Sequence, residues 1–247
     1  MFGSVVGSFL NVCIYRLPRG ESIAFPSSHC PKCNQPIHWY DNIPMVSYVV
    51  LRGKCRFCRS RISPQYLIVE ALSATFSLLL FLRYPVGEYF IYFAFFSSLL
   101  VVTFIDLHHQ IIPDIISLPG IGVGFLASLV LSRITYLDSL FGIVLGGGIL
   151  YGVAMGYYLI MKTEGMGGGD IKLLAMIGAF LGSKAVLVTI FLSAFLGSLV
   201  GITMMVFKKK GRKYAIPYGP FIAIGAIICL FWGEGIVTWY QNLLYGR

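Results

Sequence analysis

Charged residues, and acids above all, are scarce in this chain, and that scarcity excludes most soluble folds. Only 12% of its 247 residues are charged and only ten are Asp or Glu, whereas 57% are hydrophobic. The mean hydropathy is +0.81. Such a composition indicates a polytopic membrane protein. Because an ionisable side chain at membrane depth is costly, acids that lie in or beside apolar stretches are the first candidates for function.

Recognition sequences typical of other classes are missing as well. No basic region precedes the first apolar stretch and no small-residue cleavage site follows it, so we do not interpret it as a cleavable signal peptide. The glycine run at 167–169 is not followed by Gly-Lys-Ser/Thr, which makes a phosphate-binding loop a weak interpretation. A nucleotide-type glycine fingerprint is not recognisable either.

Apolar stretches occupy most of the chain, and a stretch of about 20 such residues can cross a bilayer as a helix. We therefore predict an all-α polytopic membrane protein with about eight transmembrane helices and a small cytoplasmic zinc-knuckle insert. The predicted parts are a first helix at 1–15, an insert at 16–65 and a transmembrane core at 66–247. The stretches are 1–15, 66–83, 88–105, 115–132, 138–161, 171–183, 185–207 and 217–245.

The basic residues predict how the chain is oriented. If the loop at 16–65 is cytoplasmic, alternate loops hold 15 of the 19 Lys and Arg residues, which is the positive-inside pattern. We therefore interpret the net charge of +9 as topology and lipid contact, not nucleic-acid binding, and predict an external N-terminus. The 15 are Arg16, Arg19, Lys32, Arg52, Lys54, Arg56, Arg59, Arg61, Lys162, Lys172, Lys208, Lys209, Lys210, Arg212 and Lys213; Arg83, Arg133, Lys184 and Arg247 lie on the other side.

Glycines recur along the fifth apolar stretch at a spacing close to four. Residues four apart lie on one face of a helix, and small residues there let another helix approach closely. We predict that this face packs against a neighbouring helix. Its glycines are Gly142, Gly146, Gly148, Gly152 and Gly156.

Four cysteines in the polar insert form two similar C-x-x-C pairs. Cys30 and Cys33 are separated by 21 residues from Cys55 and Cys58, and an isoleucine stands four residues after the second cysteine of each pair. Two such knuckles can complete a tetrahedral four-thiolate zinc site, which leaves no open position for catalysis. The alternative is a disulfide or redox role, which a reducing cytoplasmic side disfavours.

Two acids, Asp106 and Asp170, are predicted to reach the same side of the membrane. Asp106 closes the third apolar stretch, and Asp170 follows Gly167-Gly168-Gly169 at the start of the sixth. Two carboxyl groups in one recessed site do not both ionise easily, so one can act as an acid and the other as a base. A water molecule between them could then hydrolyse a peptide bond.

Less specific interpretations of these acids stay open. An Asp at a helix start is often an N-cap, which fits both Asp170 and Asp114. Acids in membrane helices also relay protons or bind cations, so a proton- or cation-coupled transporter is an alternative function. A third alternative is a non-enzymatic scaffold that docks a cytoplasmic partner through its zinc knuckles.

Several motifs in combination resemble the bacterial type IV prepilin peptidases, a family of membrane G-x-G-D aspartic proteases. The resemblance covers nearly the whole chain. It begins with the opening segment at 7–18 and continues through 41–44 and 51–55. It is carried furthest by Phe104-Ile105-Asp106, Ile112-Pro113-Asp114 and Gly167-Gly168-Gly169-Asp170-Ile171-Lys172-Leu173.

The resemblance implies a bifunctional enzyme of the bacterial inner membrane. Such an enzyme removes the leader from prepilins or pseudopilins of type IV pili or type II secretion, at the cytoplasmic face. It then methylates the new N-terminal amine with S-adenosylmethionine, an activity linked to the cysteine insert. The residues implied are Asp106 and Asp170 for catalysis, with Gly167, Gly169, Asp114 and Lys172 as support, and Gly53, Lys54 and Glu70 for methyl transfer or cofactor binding.

Overall fold

The fold is entirely helical wherever the chain is described. A computed structural model describes residues 1–163, 167–208 and 217–245, and within these ranges it contains eight α-helices and no strand. This confirms the predicted all-α class. The helices are α1 Phe2–Arg16, α2 Val46–Val50, α3 Gln65–Arg83, α4 Val86–His109, α5 Asp114–Ala127, α6 Tyr136–Met161, α7 Gly168–Lys208 and α8 Gly219–Tyr245.

All eight predicted apolar stretches are largely helical, but they differ in length. Among the described residues, α3, α4, α6 and Gly168–Val206 of α7 are long and apolar enough to cross a membrane, while α5 and Gly219–Gly233 are shorter apolar helices. The predicted number of eight crossings therefore stays a prediction. Helix α5 ends at Ala127, five residues before the predicted end, because the chain turns at 128–130. Lys209, Lys210, Arg212, Lys213 and Arg247 lie outside the described residues.

The chain forms two compact units, Met1–Val101 and Val102–Arg247. In the first unit α1 packs against α3 at very short range. A Cβ on Gly7 would lie 2.8 Å from the Cα atom of Glu70, so only glycine permits this approach. Ser73 Oγ also donates to Gly3 O over 2.7 Å. The predicted division at residues 15 and 65 is a different partition of the chain and stays a prediction.

Helix α7 is the centre of the second unit, where it packs against α5, α6 and α8. The glycine face predicted on α6 makes part of this packing. Gly142 meets the backbone of Gly178, and a Cβ on Gly146 would lie 2.6 Å from Leu174 O. The prediction is wrong for the second half of that face, because α7 runs in the opposite direction to α6 and begins only at Gly168. Gly148, Gly152 and Gly156 have no described neighbour within 4 Å of an added Cβ.

A break at Gly182 divides α7 into two parts, as the two separate apolar stretches predicted. Gly182 has φ 80° and ψ 177°, which a residue with a side chain rarely adopts. Asp138 of α6 accepts a hydrogen bond from Ser183 N over 3.2 Å and another from Ser183 Oγ, so it caps the second part. The first part, residues 168–181, is about 21 Å long and shorter than the bilayer core of about 30 Å.

Candidate functional site

Asp106 lies in the last turn of α4 and is almost completely buried, with 5% of its surface exposed. Its Oδ2 atom accepts a hydrogen bond from the backbone N–H of Gly219 over 2.9 Å. Gly219 is the first residue of α8, where a helix leaves backbone N–H groups without an internal partner. The buried carboxyl group of Asp106 is therefore oriented by the start of a different helix.

Asp170 lies in the first turn of α7 and is half-buried. The structure brings the two predicted acids to one site, because Ile112 contacts the glycine next to Asp170 and the glycine that bonds Asp106. Ile112 packs between their supporting glycines. A Cβ on Gly169 would lie 2.8 Å from Ile112 Cβ, and one on Gly219 would lie 3.4 Å from Ile112 Cδ1. Because α7 begins at Gly168, Asp170 is inside the helix and does not act as its N-cap.

Sequence reasoning missed the residues just before and at the start of α8. The charge of Asp170 acts on the phenol group of Tyr218. The hydroxyl of Tyr218 lies 2.8 Å from Ser193 Oγ, which fixes the ring beside α7. The only local signal was the run Tyr218-Gly219-Pro220, which indicates the start of a helix because proline is favoured in a first turn. Such a signal gives no information about a partner 113 positions earlier.

Lys172 and Asp114 form an ion pair at the edge of this site. The Lys172 ammonium lies 2.7 Å from both carboxylate oxygens of Asp114, and both side chains are partly exposed. Asp114 is the first residue of α5, whose N-cap is Pro113, so the alternative interpretation of Asp114 as an N-cap is wrong. The pair instead joins the first residue of α5 to the second turn of α7, two positions after Asp170.

The four insert cysteines converge on one point. Their Sγ atoms all lie within 4.8 Å of one another, with 3.8 Å between Cys30 and Cys58 and 4.0 Å between Cys33 and Cys55. Tetrahedral zinc with Zn–S bonds of about 2.3 Å separates its sulfur ligands by about 3.8 Å. All four thiols are free, so the geometry fits a zinc ion and not two disulfides.

The two knuckles are a structural repeat. Each residue of the second knuckle corresponds to the residue 25 positions earlier, so that Cys55 corresponds to Cys30. The N–H of Cys30 donates to Gln35 O over 2.9 Å, and that of Cys55 donates to Ser60 O over 2.8 Å. The residues that follow each pair, Asn34 and Arg59, have φ of 56° and 58°. This confirms that the two halves of the C-x-x-C pattern fold alike.

The surroundings of the thiols also suit metal binding. Burial acts to raise the pKa of Cys30, but N–H groups of Cys33 and Lys32 hydrogen-bond its sulfur and lower that pKa to about 6. The Ser60 hydroxyl lowers the pKa of Cys58 in the same way. At Cys33 the N–H of Gln35 acts to lower the pKa, but burial and the three neighbouring thiols raise it to about 11, because without a metal the four sulfurs do not all ionise together. Zinc binds thiolates, so donors that favour the thiolate favour the metal. The other two cysteines, Cys13 and Cys229, are buried in α1 and α8.

The residues implied for methyl transfer lie in the first unit. Glu70 is buried in α3, and its Oε2 atom accepts a hydrogen bond from the N–H of Met45 in the insert over 2.7 Å. Gly53 is also buried, with φ 64°, and a Cβ there would lie 3.0 Å from Cζ and Oη of Tyr48. The side chain of Lys54 is exposed. Glu70 and Gly53 thus hold parts of the insert in place.

Comparison with known proteins gives one consistent result. The chain matches a family model described as "Bacterial Peptidase A24 N-terminal domain" over residues 1–100, and one described as "Type IV leader peptidase family" over residues 93–202. The boundary between these matches falls close to the boundary between the two compact units. No solved structure is a significant match.

Curated relatives cover almost the entire chain. It is 34% identical to a prepilin leader peptidase/N-methyltransferase of Aeromonas salmonicida, across 99% of this chain and 93% of that protein. A protein of the same name from Pseudomonas aeruginosa is 33% identical, across 97% and 91%. One from Legionella pneumophila is 32% identical, across 97% and 92%.

Proposed function

Because the chain belongs to the type IV leader peptidase family, we propose that Asp106 and Asp170 are the carboxyl pair with which it cuts prepilins. The enzyme is a prepilin peptidase with N-methyltransferase activity. The observation that carries the assignment of the pair is their proximity. Ile112 packs against Gly169, the neighbour of Asp170, and against Gly219, whose N–H bonds Asp106. Two acids 64 positions apart in the sequence thus reach one small site. Neither transport nor scaffolding is favoured by the family.

The chemistry proposed for the pair is general acid–base hydrolysis. One carboxylate takes a proton from a water molecule, whose oxygen attacks the carbonyl carbon of the peptide bond after the leader. The second carboxyl group, still protonated, gives its proton to the departing nitrogen as the C–N bond breaks. The products are the free leader and a pilin with a new N-terminal amine.

The proposed location is the bacterial inner membrane, with the N-terminus outside and the insert and both aspartates on the cytoplasmic side. The support is the distribution of Lys and Arg between alternate loops. The exposed apolar surface of helices such as α6 suits lipid contact and an apolar substrate helix. A prepilin whose apolar helix lay beside these helices would present its cleavage junction at the membrane surface.

Methyl transfer is assigned in this proposal to residues of the first unit. S-adenosylmethionine, when bound, supplies the methyl group to the new amine. Gly53 and Glu70 shape the insert around that reaction, and the exposed Lys54 stands next to Gly53. Zinc would be held by Cys30, Cys33, Cys55 and Cys58 and would stabilise an insert too small for a large core.

Intact-mass spectrometry of a purified prepilin incubated with the enzyme tests the peptidase assignment. Asp106→Asn and Asp170→Asn should each lower the cleavage rate by at least about 100-fold, because each removes one partner in proton transfer. Glu21→Gln, at an exposed acid of the insert, is the matched control and should cleave at the wild-type rate. Normal cleavage by either Asn variant would remove that aspartate from the mechanism.

A further inference from the structure

The two carboxyl groups of the pair have unequal surroundings. Asp106 accepts a hydrogen bond from the N–H of Gly219, and both residues are buried. Asp170 is half-buried, and no donor among the described residues bonds its carboxyl group. The start of α8 also carries the positive end of the helix macrodipole. Asp170 lies in the first turn of α7 and faces a helix macrodipole in the same way, so the difference between the two acids is the Gly219 donor that Asp106 alone accepts from.

The contact between Gly219 and Asp106 leaves no room for a side chain. A Cβ at position 219 would lie 2.7 Å from Asp106 Oδ2 and 3.3 Å from its Cγ, closer than such atoms approach without displacement. Glycine therefore lets the backbone of α8 come within hydrogen-bonding distance of the carboxylate. Substitution at this position would move the carboxyl group or the helix.

Other ionisable groups near the pair do not offset the hydrogen bond that Asp106 alone receives from Gly219. The Lys172 ammonium is directed to both oxygens of Asp114, which satisfies its charge at the edge of the site. Tyr218 is a neutral phenol whose hydroxyl pairs with Ser193. Burial disfavours the charged form of Asp106, but the hydrogen bond from Gly219 favours it. Where two acids share a site, the one without such a donor is the one that retains its proton.

We propose that the start of α8 decides which acid of the pair is the base. Gly219 is a positioning residue that keeps Asp106 ionised, so that Asp106 accepts the proton of the attacking water. Asp170 carries the proton that the departing amine receives. When both transfers are complete, Asp106 is protonated and Asp170 is charged, and one proton passing from Asp106 to Asp170 restores the starting state. This inference rests on the proposed role of the pair in cleavage.

Carboxyl carbon-13 NMR of the wild-type enzyme tests the assignment directly. The chain has only five aspartates, so selective labelling gives few signals, and loss of a signal in Asp106→Asn or Asp170→Asn identifies each. Near neutral pH we expect the shift of an ionised carboxylate for Asp106 and that of a protonated acid for Asp170. The reverse pattern, or two ionised groups, would overturn the proposal.

Kinetics of Gly219→Ala supply a second readout. We expect kcat for leader cleavage to fall at least about tenfold, with KM little changed and the acid limb of the pH–rate profile displaced to higher pH. Gly233→Ala in the same helix is the control, because its Cβ would meet Cys229 Cβ at an ordinary 3.7 Å. Cleavage by Gly219→Ala at the wild-type rate and with the wild-type profile would contradict the proposal.

The two tests separate failure of this inference from failure of the proposed function. If Asp106→Asn or Asp170→Asn cleaves normally, the carboxyl pair itself is rejected. If both are inactive but the NMR assignment is reversed, only the role of Gly219 and α8 is rejected. Should Gly219→Ala not fold, as thermal unfolding in detergent would show, the NMR measurement on the wild type still decides.

Discussion

The backbone N–H of Met45 donates to Oε2 of Glu70 over 2.7 Å, and this bond ties the insert to the buried face of α3. Met45 has φ 61° and ψ −46°, a conformation in which residues with a side chain are strained. Strained backbone persists only where its surroundings hold it, and the Glu70 carboxylate is the acceptor that does so here. We therefore expect any contribution of Glu70 to methyl transfer to come from anchoring the insert.

Substitutions at Glu70 separate anchoring from charge. Glu70→Ala leaves the Met45 N–H without its acceptor, at a cost of about 1–3 kcal/mol, and should lower methylation strongly while cleavage continues. Glu70→Gln keeps an acceptor oxygen and should retain most methylation. Mass spectrometry of the pilin product measures both activities in one sample. Equal loss of methylation in the Gln and Ala variants would show that the charge itself is required.

Gly53 should not tolerate a side chain, for two separable reasons. Gly53→Ala places a Cβ 3.0 Å from the Tyr48 ring and forces alanine into φ 64°. Gly20→Ala is a matched control, because Gly20 has φ 67° and no atom within 4 Å of an added Cβ. We expect Gly20→Ala to lose about 1–2 kcal/mol of stability with methylation intact, and Gly53→Ala to lose methylation as well. Equal behaviour of the two variants would rule out a role for the Tyr48 contact.

The four-cysteine cluster predicts one zinc ion per chain. Elemental analysis of purified enzyme should find one equivalent of zinc in the wild type and in Cys13→Ser, whose sulfur is buried in α1 away from the cluster. Cys33→Ser should lose the metal and make the insert sensitive to protease, because a site missing one thiolate binds zinc weakly. Full zinc content in Cys33→Ser would exclude the four-thiolate site.

The ion pair of Asp41 and Arg56 predicts a pH dependence within the insert. Arg56 Nε lies 2.7 Å from Asp41 Oδ2, and this hydrogen bond holds the pKa of Asp41 below its ordinary value of 3.8. Because the pKa of Asp41 is lower in the folded than in the unfolded chain, the ionised carboxylate stabilises the insert at pH values above the ordinary pKa. This stabilisation is lost as the pH falls below the ordinary pKa and through the lowered one. Hydrogen exchange between pH 5 and 3 should therefore show a smaller loss of protection in Arg56→Gln than in the wild type. Zinc release affects both proteins, so the difference between them isolates the pair; no difference would contradict the prediction.

Local sequence patterns predicted the features that depend on local periodicity. The C-x-x-C repeat gave the two knuckles, because four thiolates at that spacing converge when each pair turns back on itself. Apolar stretches gave the helices, and the gap in the apolar pattern near 184 anticipated the break that the structure places at Gly182. The distribution of Lys and Arg between alternate loops predicted that Asp106 and Asp170 reach the same side of the membrane, and in the structure the two acids share one site.

Contacts distant in sequence were not predictable from one chain. The bond from Gly219 to Asp106 joins helices 113 positions apart, and nothing in either local pattern specifies the partner. The glycine face of α6 shows the opposite error. Its spacing continues to Gly156, but α7 contacts only the first half, because it runs in the opposite direction to α6 and begins at Gly168, which the spacing of the α6 glycines does not show.

The central claim is that cleavage and methylation depend on different residues of one chain. Its most direct test presents two substrates, an intact prepilin and a pilin already freed of its leader, to Asp170→Asn and Glu70→Ala in the presence of S-adenosylmethionine. Intact mass should show that Asp170→Asn leaves the prepilin uncut but methylates the free pilin, whereas Glu70→Ala cuts the prepilin and adds little methyl. Cleavage of the prepilin by Asp170→Asn at the wild-type rate would contradict the account.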